Sequence, residues 1–382
     1  MKVAVPAEIL ADEKRVAATP ETVKKMTAEG LEVTVQAGGG RYADYSDEDY
    51  REAGARIAPD AASVYAGAGL ILKIRAPVLE ASSGKDEAAL MPEGSVLMAQ
   101  LGVLSDPGIA ARLAQRKITA LALELVPRIA RAQKLDVLSS QANVAGYKAV
   151  VMAADSIGKM MPLMMTAAGT VSPAKVFIIG AGVAGLQAIA TARRLGALVE
   201  AFDVRPVVKE QVESLGAKFV AWESEAAAED KGGYAKELSK EAHDRERELL
   251  ARHVAAADIV ITTALIPGKA APRLIDDAMV HSMRPGSVIV DLAAEGGGNC
   301  VLSKPGETVQ VGGVCIIAPA NIASMMPVQA SQLFSRNILN LLLEMYKKKE
   351  FRLNLEDEIQ KGCVVTHEGR VVHPALQGKT GA

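Results

Sequence analysis

The chain has 382 residues, of which 49% are hydrophobic and 23% charged, with a formal net charge of −2. That length exceeds what one compact core holds and suits two domains. The near-balanced charge supplies no basic field for nucleic acid, and no Lys/Arg cluster is interleaved with aromatic residues.

The chain opens on Lys2-Val-Ala-Val-Pro6, a strand-like start without a signal-peptide pattern. Further strands are predicted at residues 31–36, 70–74, 95–99 and 117–123, separated by helical stretches. This rhythm predicts a doubly wound α/β domain. A polar run follows, Pro127-Arg128-Ile129-Ala130-Arg131-Ala132-Gln133-Lys134-Leu135-Asp136-Val137-Leu138-Ser139-Ser140-Gln141, at the expected junction with a second domain. Its plain reading is a hinge in which Asp136 or Ser139 caps the next helix. The methionines that follow, including Met160, Met161, Met164 and Met165, read as packing rather than a soft-metal site.

The second series starts at Lys175-Val-Phe-Ile-Ile-Gly180-Ala-Gly182-Val183-Ala184-Gly185. Residues 176–179 form a short branched run suited to a parallel strand buried on both faces. Gly180 permits the tight turn, Gly182 lets a pyrophosphate approach the backbone, and Gly185 lets the helix lie close to the strand. The free N–H groups and dipole of that helix then face the phosphates. Asp203 ends the next strand at the distance where a carboxylate meets an adenosine ribose, which predicts NAD(H) over NADP(H). Arg205 works against this preference, since it can pair with a 2′-phosphate. Asp203 holds the ribose-facing position and is given the greater weight.

Strands are also predicted at residues 198–202, 218–221, 258–262, 287–291 and 314–317. Between them, the charged segment 223–252 carries Gly232-Gly233-Tyr234 and reads either as a solvated insertion or as a mobile lid. Gly296 to Gly298 follow a strand end and read as a turn or as a border to the cofactor. After Pro327, residues 329–346 predict a helix, and the tail around Gly369 predicts a hairpin. The expected fold is therefore α/β: two doubly wound Rossmann-like parallel-sheet domains with a cleft between them. Residues 1–138 with 327–382 would form the first, and residues 139–326 the nucleotide-binding one. The three cysteines, Cys300, Cys315 and Cys363, lack any CxxC spacing and fit a reducing compartment, and no apolar stretch reads as a membrane span.

Several long motifs resemble one family over essentially the whole chain. They are Arg15-Val-Ala-Ala-Thr-Pro20, the junction run, Met164-Met-Thr-Ala-Ala-Gly-Thr170, the glycine loop, Gly232-Gly-Tyr-Ala-Lys-Glu237, Thr262-Thr-Ala-Leu-Ile-Pro-Gly-Lys269 and Val372-His-Pro-Ala-Leu376. The chain resembles the NAD(H)-binding alpha or alpha-1 component of proton-translocating nicotinamide nucleotide transhydrogenase. The resemblance implies that Arg128, Asp136 and Ser139 hold the nicotinamide, with Ile129, Ala130, Leu138 and Ser140 beside them, and that Gln133 reaches NADP(H) on a partner component. It also implies that Asp203, Val204 and Arg205 surround the adenine end, that Ala264 and Leu265 border the adenosine, and that Gly233 and Tyr234 belong to a mobile loop. A homodimer, a membrane-spanning partner and a place on the cytoplasmic side of a bacterial inner membrane are implied too.

The same architecture resembles alanine dehydrogenase. Arg15 and Lys73 stand where that family's carboxylate-binding and catalytic residues would be, but Gln100 occupies the place of its histidine, and Glu295 that of its aspartate. Neutral Gln100 cannot shuttle a proton, which reductive amination requires. Transfer of a hydride between two nicotinamide rings needs no proton exchange, only reacting carbons held roughly 3 to 3.5 Å apart with water excluded. The five histidines, His243, His253, His281, His367 and His373, all fall outside the junction and the glycine loop.

Overall fold

A computed structural model describes residues 1–78, 86–221, 240–266 and 268–377, with the side chains of residues 240–243 excepted. It divides into two compact units, residues 1–141 with 324–382 and residues 142–323.

In the first unit, strands and helices alternate: β1 (Lys2–Val5), α1 (Pro20–Ala28), β2 (Glu32–Gln36), α2 (Asp47–Glu52), β3 (Arg56–Ala58), α3 (Ala61–Tyr65), β4 (Leu70–Arg75), α4 (Glu87–Leu90), β5 (Val96–Gln100), α5 (Gly108–Gln115) and β6 (Thr119–Ala122). A six-residue 3-10 turn, Ala130–Leu135, leads into α6 (Val137–Ser156), along which the chain passes into the second unit. That unit holds a small hairpin, β7 (Met164–Thr166) and β8 (Gly169–Val171). Then come β9 (Lys175–Ile179), α7 (Val183–Arg194), β10 (Leu198–Phe202), α8 (Lys209–Ser214), β11 (Lys218–Phe219) and α9 (Lys240–Ala256). The unit closes with β12 (Ile259–Thr262), α10 (Asp277–Ser282), β13 (Val288–Asp291), β14 (Thr308–Val311) and β15 (Val314–Ile317). Back in the first unit lie α11 (Pro327–Met345), β16 (Tyr346–Lys347), β17 (Glu350–Phe351), α12 (Glu358–Cys363), β18 (Val364–His367) and β19 (Arg370–Val371).

The first sheet runs β19-β18-β6-β5-β4-β1-β2-β3 and is parallel except for the two antiparallel pairings made by β18. The second runs β11-β10-β9-β12-β13-β15-β14 and is parallel except for β14. Each parallel core has the 3-2-1-4-5-6 order of a dinucleotide-binding fold, reversing beside its first strand, where such sheets bind ligands. The central strands are continuous apolar runs because helices cover both faces: every residue of β6, β12 and β13 is buried. The amphipathic α11 packs Phe334, Ile338, Leu341 and Leu342 into the core of the first unit.

The structure differs from the sequence reading at the methionines. Met161 is core, but Met165 is 77% exposed, and Leu163, Met164 and Val171 are also exposed on the β7–β8 hairpin. A two-stranded ribbon with no third strand has no face to bury against its own sheet.

Candidate functional site

At the reversal of the second sheet, β9 ends and Gly180 turns the chain with φ +96, a left-handed value that glycine adopts without strain. A Cβ at Gly180 would lie 2.6 Å from Thr263 Oγ1, and one at Gly185 would lie 1.9 Å from the Gly180 carbonyl oxygen. Both glycines are therefore required by the fold itself. Gly182 is different: its φ is −74, and a Cβ there would meet only Arg205 Nη2, at 4.0 Å. Nothing in the chain's own packing demands a glycine at this position, which caps α7. The first N–H groups of α7 have no partner within the helix and form an anion-binding end.

Several part-buried contacts hold this loop. Thr263, just past β12, donates from its hydroxyl to the Gly180 carbonyl at 3.1 Å. Next to it, Ala264 is fixed at both ends: its N–H donates to Asn299 Oδ1 at 3.0 Å, and its carbonyl accepts from Asn299 Nδ2 at 2.9 Å. Leu265 is 49% exposed beyond that clamp. On the other side, a Cβ at Gly146 of α6 would sit 2.1 Å from the Ala184 carbonyl, so α6 lies directly on the first turn of α7. Asp291, fully buried at the end of β13, accepts from Thr262 Oγ1, the N–H groups of Ala293 and Cys300, and Ser303 Oγ. Sequence reading missed Gly146, Asp291 and Asn299. A glycine inside a 20-residue helix is a signal of close approach that could have exposed the first.

Asp203 follows β10 and is buried. Its Oδ2 accepts from the Ala181 N–H at 2.7 Å and from Arg205 Nη2 at 2.9 Å, and its Oδ1 accepts from Arg205 N and Nε, both at 2.9 Å. These four bonds fill the acceptor capacity of a carboxylate. Asp203 and Arg205, read from sequence as opposing influences on a ribose 2′ position, are thus partners that also fasten the glycine loop. Val204 is half-buried against a core cluster that includes Leu250 and Val254 of α9. Gly233 and Tyr234 lie outside the described residues. Gly297 and Gly298 have φ of +107 and +82 and form a turn against Asp291.

In the first unit, the junction run is a braced turn. Ala132 and Leu135 are buried in the core, whereas Arg128, Ala130 and Gln133 are exposed and Ile129 is half-buried. Asp136 ends the turn and caps α6: its Oδ1 accepts from the Ser139 N–H at 2.9 Å and its Oδ2 from the Ser139 hydroxyl at 2.6 Å. Leu138 and Ser140 are half-buried in the first turn of that helix.

The reversal point of the first sheet has no glycine loop and is filled by ion pairs. Lys73 is fully buried, with Nζ 2.9 Å from Glu87 and 3.3 Å from Glu8. Burial lowers an ammonium pKa, but here the two carboxylates outweigh it and hold the Lys73 pKa above its usual value. Arg15 is clamped by Glu13 through Nε at 2.7 Å and Nη2 at 2.6 Å, and Nη1 donates to Gln141. Arg75 adds a second cation on Glu13 at 3.2 Å. Among the described residues, no cluster of His, Cys, Asp and Glu could hold a metal ion.

Family models for the N-terminal and C-terminal domains of alanine dehydrogenase/PNT match residues 4–145 and 149–374. The chain belongs to this family. Membership makes it an oxidoreductase component that binds a nicotinamide nucleotide. It is 50% identical to the first portion of the divided NAD(P) transhydrogenase subunit alpha of Rhodospirillum rubrum, over 99% of this chain and 100% of that one. The crystal structure of transhydrogenase from Sinorhizobium meliloti superposes with a TM-score of 0.88 at 45% identity, covering 97% of this chain and 100% of that chain. Alanine dehydrogenase of Halomonas elongata is 30% identical over 98% of this chain and 96% of its own length. The family's alanine dehydrogenase member is thus the more distant relative of the two kinds.

Proposed function

We propose that the chain binds NAD(H) and exchanges a hydride with NADP(H) held by a partner component of a proton-translocating transhydrogenase. The full-length likeness to transhydrogenase subunit alpha carries this reading. The geometry adds two supports. The glycine loop of the second unit leaves Gly182 open to a phosphate, and the cations that an oxo acid would need are sealed by the chain's own carboxylates.

In this reading Gly180, Gly182, Val183, Ala184 and Gly185 receive the pyrophosphate. Asp203, Val204 and Arg205, with Ala264 and Leu265, receive the adenosine. Arg128, Ile129, Ala130, Asp136, Leu138, Ser139 and Ser140 receive the nicotinamide end, Gly233 and Tyr234 form the closing loop, and Gln133 extends toward the partner's nucleotide. The protein's task is to orient and to exclude water, with no acid or base at the reacting carbons. By the likeness to transhydrogenase subunit alpha, proton passage falls to a membrane-spanning partner on whose cytoplasmic face the chain would sit; among the described residues no helix is long and apolar enough to cross a membrane. Exposed Leu163 and Met165 on the β7–β8 hairpin support a homodimer.

Mixing the chain with an NADP(H)-binding transhydrogenase component, NADPH and an NAD⁺ analogue of distinct absorbance tests the reading. Hydride exchange is expected, with no NADH oxidation when pyruvate and ammonium are supplied to the chain alone. The opposite pattern would establish an alanine dehydrogenase-like enzyme instead.

A further inference from the structure

The turn Ala130–Leu135 carries Gln133 at its exposed side and ends on Asp136. A short 3-10 turn leaves its last carbonyls without partners of its own. The Gln133 carbonyl is met by the Asp136 N–H at 3.4 Å. The next one, that of Lys134, is met from another element: Asn337 Nδ2 of α11 donates to it at 2.8 Å, and Asn340 Nδ2 one helical turn on donates at 3.3 Å.

Asn337 is 9% exposed and lies on a helix whose neighbouring positions, Phe334, Ile338 and Leu341, are fully buried. Its Oδ1 is buried without a hydrogen-bond partner. Turning the amide over would set that oxygen against the Lys134 carbonyl, so the orientation is fixed by the bond it makes. An unmet buried acceptor destabilises, and a leucine of similar shape would avoid it. What the amide supplies in return is one donated N–H, to the carbonyl of Lys134, the residue that follows Gln133. The ion pairs around the turn, Lys134 with Glu344 and Arg131 with Asp357, join side chains that are 55% and 49% exposed on the cationic side. Exposed pairs of this kind fix geometry weakly. The turn is therefore held by two apolar plugs, Ala132 and Leu135, and by the Asn337 amide between Gln133 and Asp136.

We propose that Asn337, assisted by Asn340, is a positioning residue for hydride transfer, setting the Lys134 carbonyl and with it the direction in which Gln133 leaves the turn. This rests on the functional reading above, in which Gln133 faces the partner's nucleotide. Two rings approach closely only in a fixed geometry, and displacement on the order of 1 Å can cost about 10²-fold in rate.

The test uses the full chain with an NADP(H)-binding component, measuring hydride exchange, NADH affinity by fluorescence and thermal stability. Asn337→Leu removes the donor together with the orphaned acceptor. It is expected to keep NADH affinity within about twofold while turnover falls about tenfold or more. In a Gln133→Asn background the same substitution should add less than about twofold, because both changes act on one device. Full turnover in a folded Asn337→Leu chain, or an equal loss in both backgrounds, overturns the proposal. Should Asn337→Leu fail to fold, the more peripheral Asn340→Leu decides on the same two criteria, with an expected fall of about two- to threefold. If the parent chain exchanges no hydride at all, the functional reading fails and this role fails with it. Exchange by the parent that Asn337→Leu leaves untouched overturns the positioning role alone.

Discussion

The three glycines of the nucleotide loop separate what folding needs from what a ligand needs. Gly185 has the Gly180 carbonyl 1.9 Å from where a Cβ would lie, so Gly185→Ala must move backbone, at a cost of about 1–3 kcal/mol. Gly182 has ordinary φ and room for a methyl group. Gly182→Ala should therefore melt with the parent while losing at least about tenfold in NADH affinity, because under the proposed function the added methyl would stand where the pyrophosphate approaches the backbone. Thermal melts and fluorescence titration of both variants check this pair. If Gly182→Ala binds NADH as the parent does, the phosphate does not sit on this loop. Asp203 shows the complementary case, a residue whose assigned partner is a ribose yet whose oxygens are all engaged by Ala181 and Arg205. Ribose hydroxyls can reach it only if the Arg205 fork gives way.

Among the elements, α1 and α11 meet through an exposed carboxylate, Glu21, held by two cations and carrying a calculable pH signature. Glu21 accepts from Arg336 at 2.6 Å and from Lys25 at 2.8 Å. The Arg336 bond, and then the Lys25 bond, hold its carboxyl down at about 2, against 4.5 ordinarily. The native state thus binds this proton more weakly than the unfolded chain. Its contribution is present above about 4.5 and is lost as pH falls toward 2. Both side chains are nearly half exposed, so the contribution is about 0.2–1 kcal/mol. Glu21→Gln should be less stable than the parent by that amount near neutrality, and the gap should close on acidification; a gap independent of pH in denaturant titrations would refute the assignment. Elements were legible in the sequence where burial imposes a pattern. The buried central strands β9, β12 and β13 read as branched apolar runs, and α11 read as a helix from its spacing. Edge strands β3 and β14 did not, because their residues are half-exposed and carry no such pattern. The glycine loop was readable because its steric demands fall on one residue type. Asn337 was not, since an amide on a helix looks like surface until its carbonyl partner, 203 positions away, is known.

At the scale of the whole molecule, one strand order occurs twice with opposite outcomes at the reversal point. In the second sheet that point is a glycine loop; in the first, Glu8, Glu87 and Tyr65 close around Lys73. Brought together without the cation, the two carboxylates would face each other in a site where burial already pushes the Glu8 carboxyl up. Lys73→Met therefore leaves uncompensated buried charge and should cost about 3–5 kcal/mol near neutrality, far more than an exposed pair. The sign of its pH dependence distinguishes this cause from a simple packing defect. A carboxyl whose native pKa lies above its unfolded value of 4.5 binds its proton more tightly when folded, so the penalty is absent at low pH and grows as pH rises through the native value. The variant should consequently recover stability relative to the parent as pH falls toward 4.5, whereas a packing defect would cost the same at every pH. Chemical denaturation of Lys73→Met and Lys73→Met/Glu8→Gln across that range measures it, the double variant losing most of the slope. A parent-like midpoint for Lys73→Met at neutral pH would mean that the cation is dispensable to this unit, and that the pairing of Lys73 does not explain why an oxo acid finds no ready cation there.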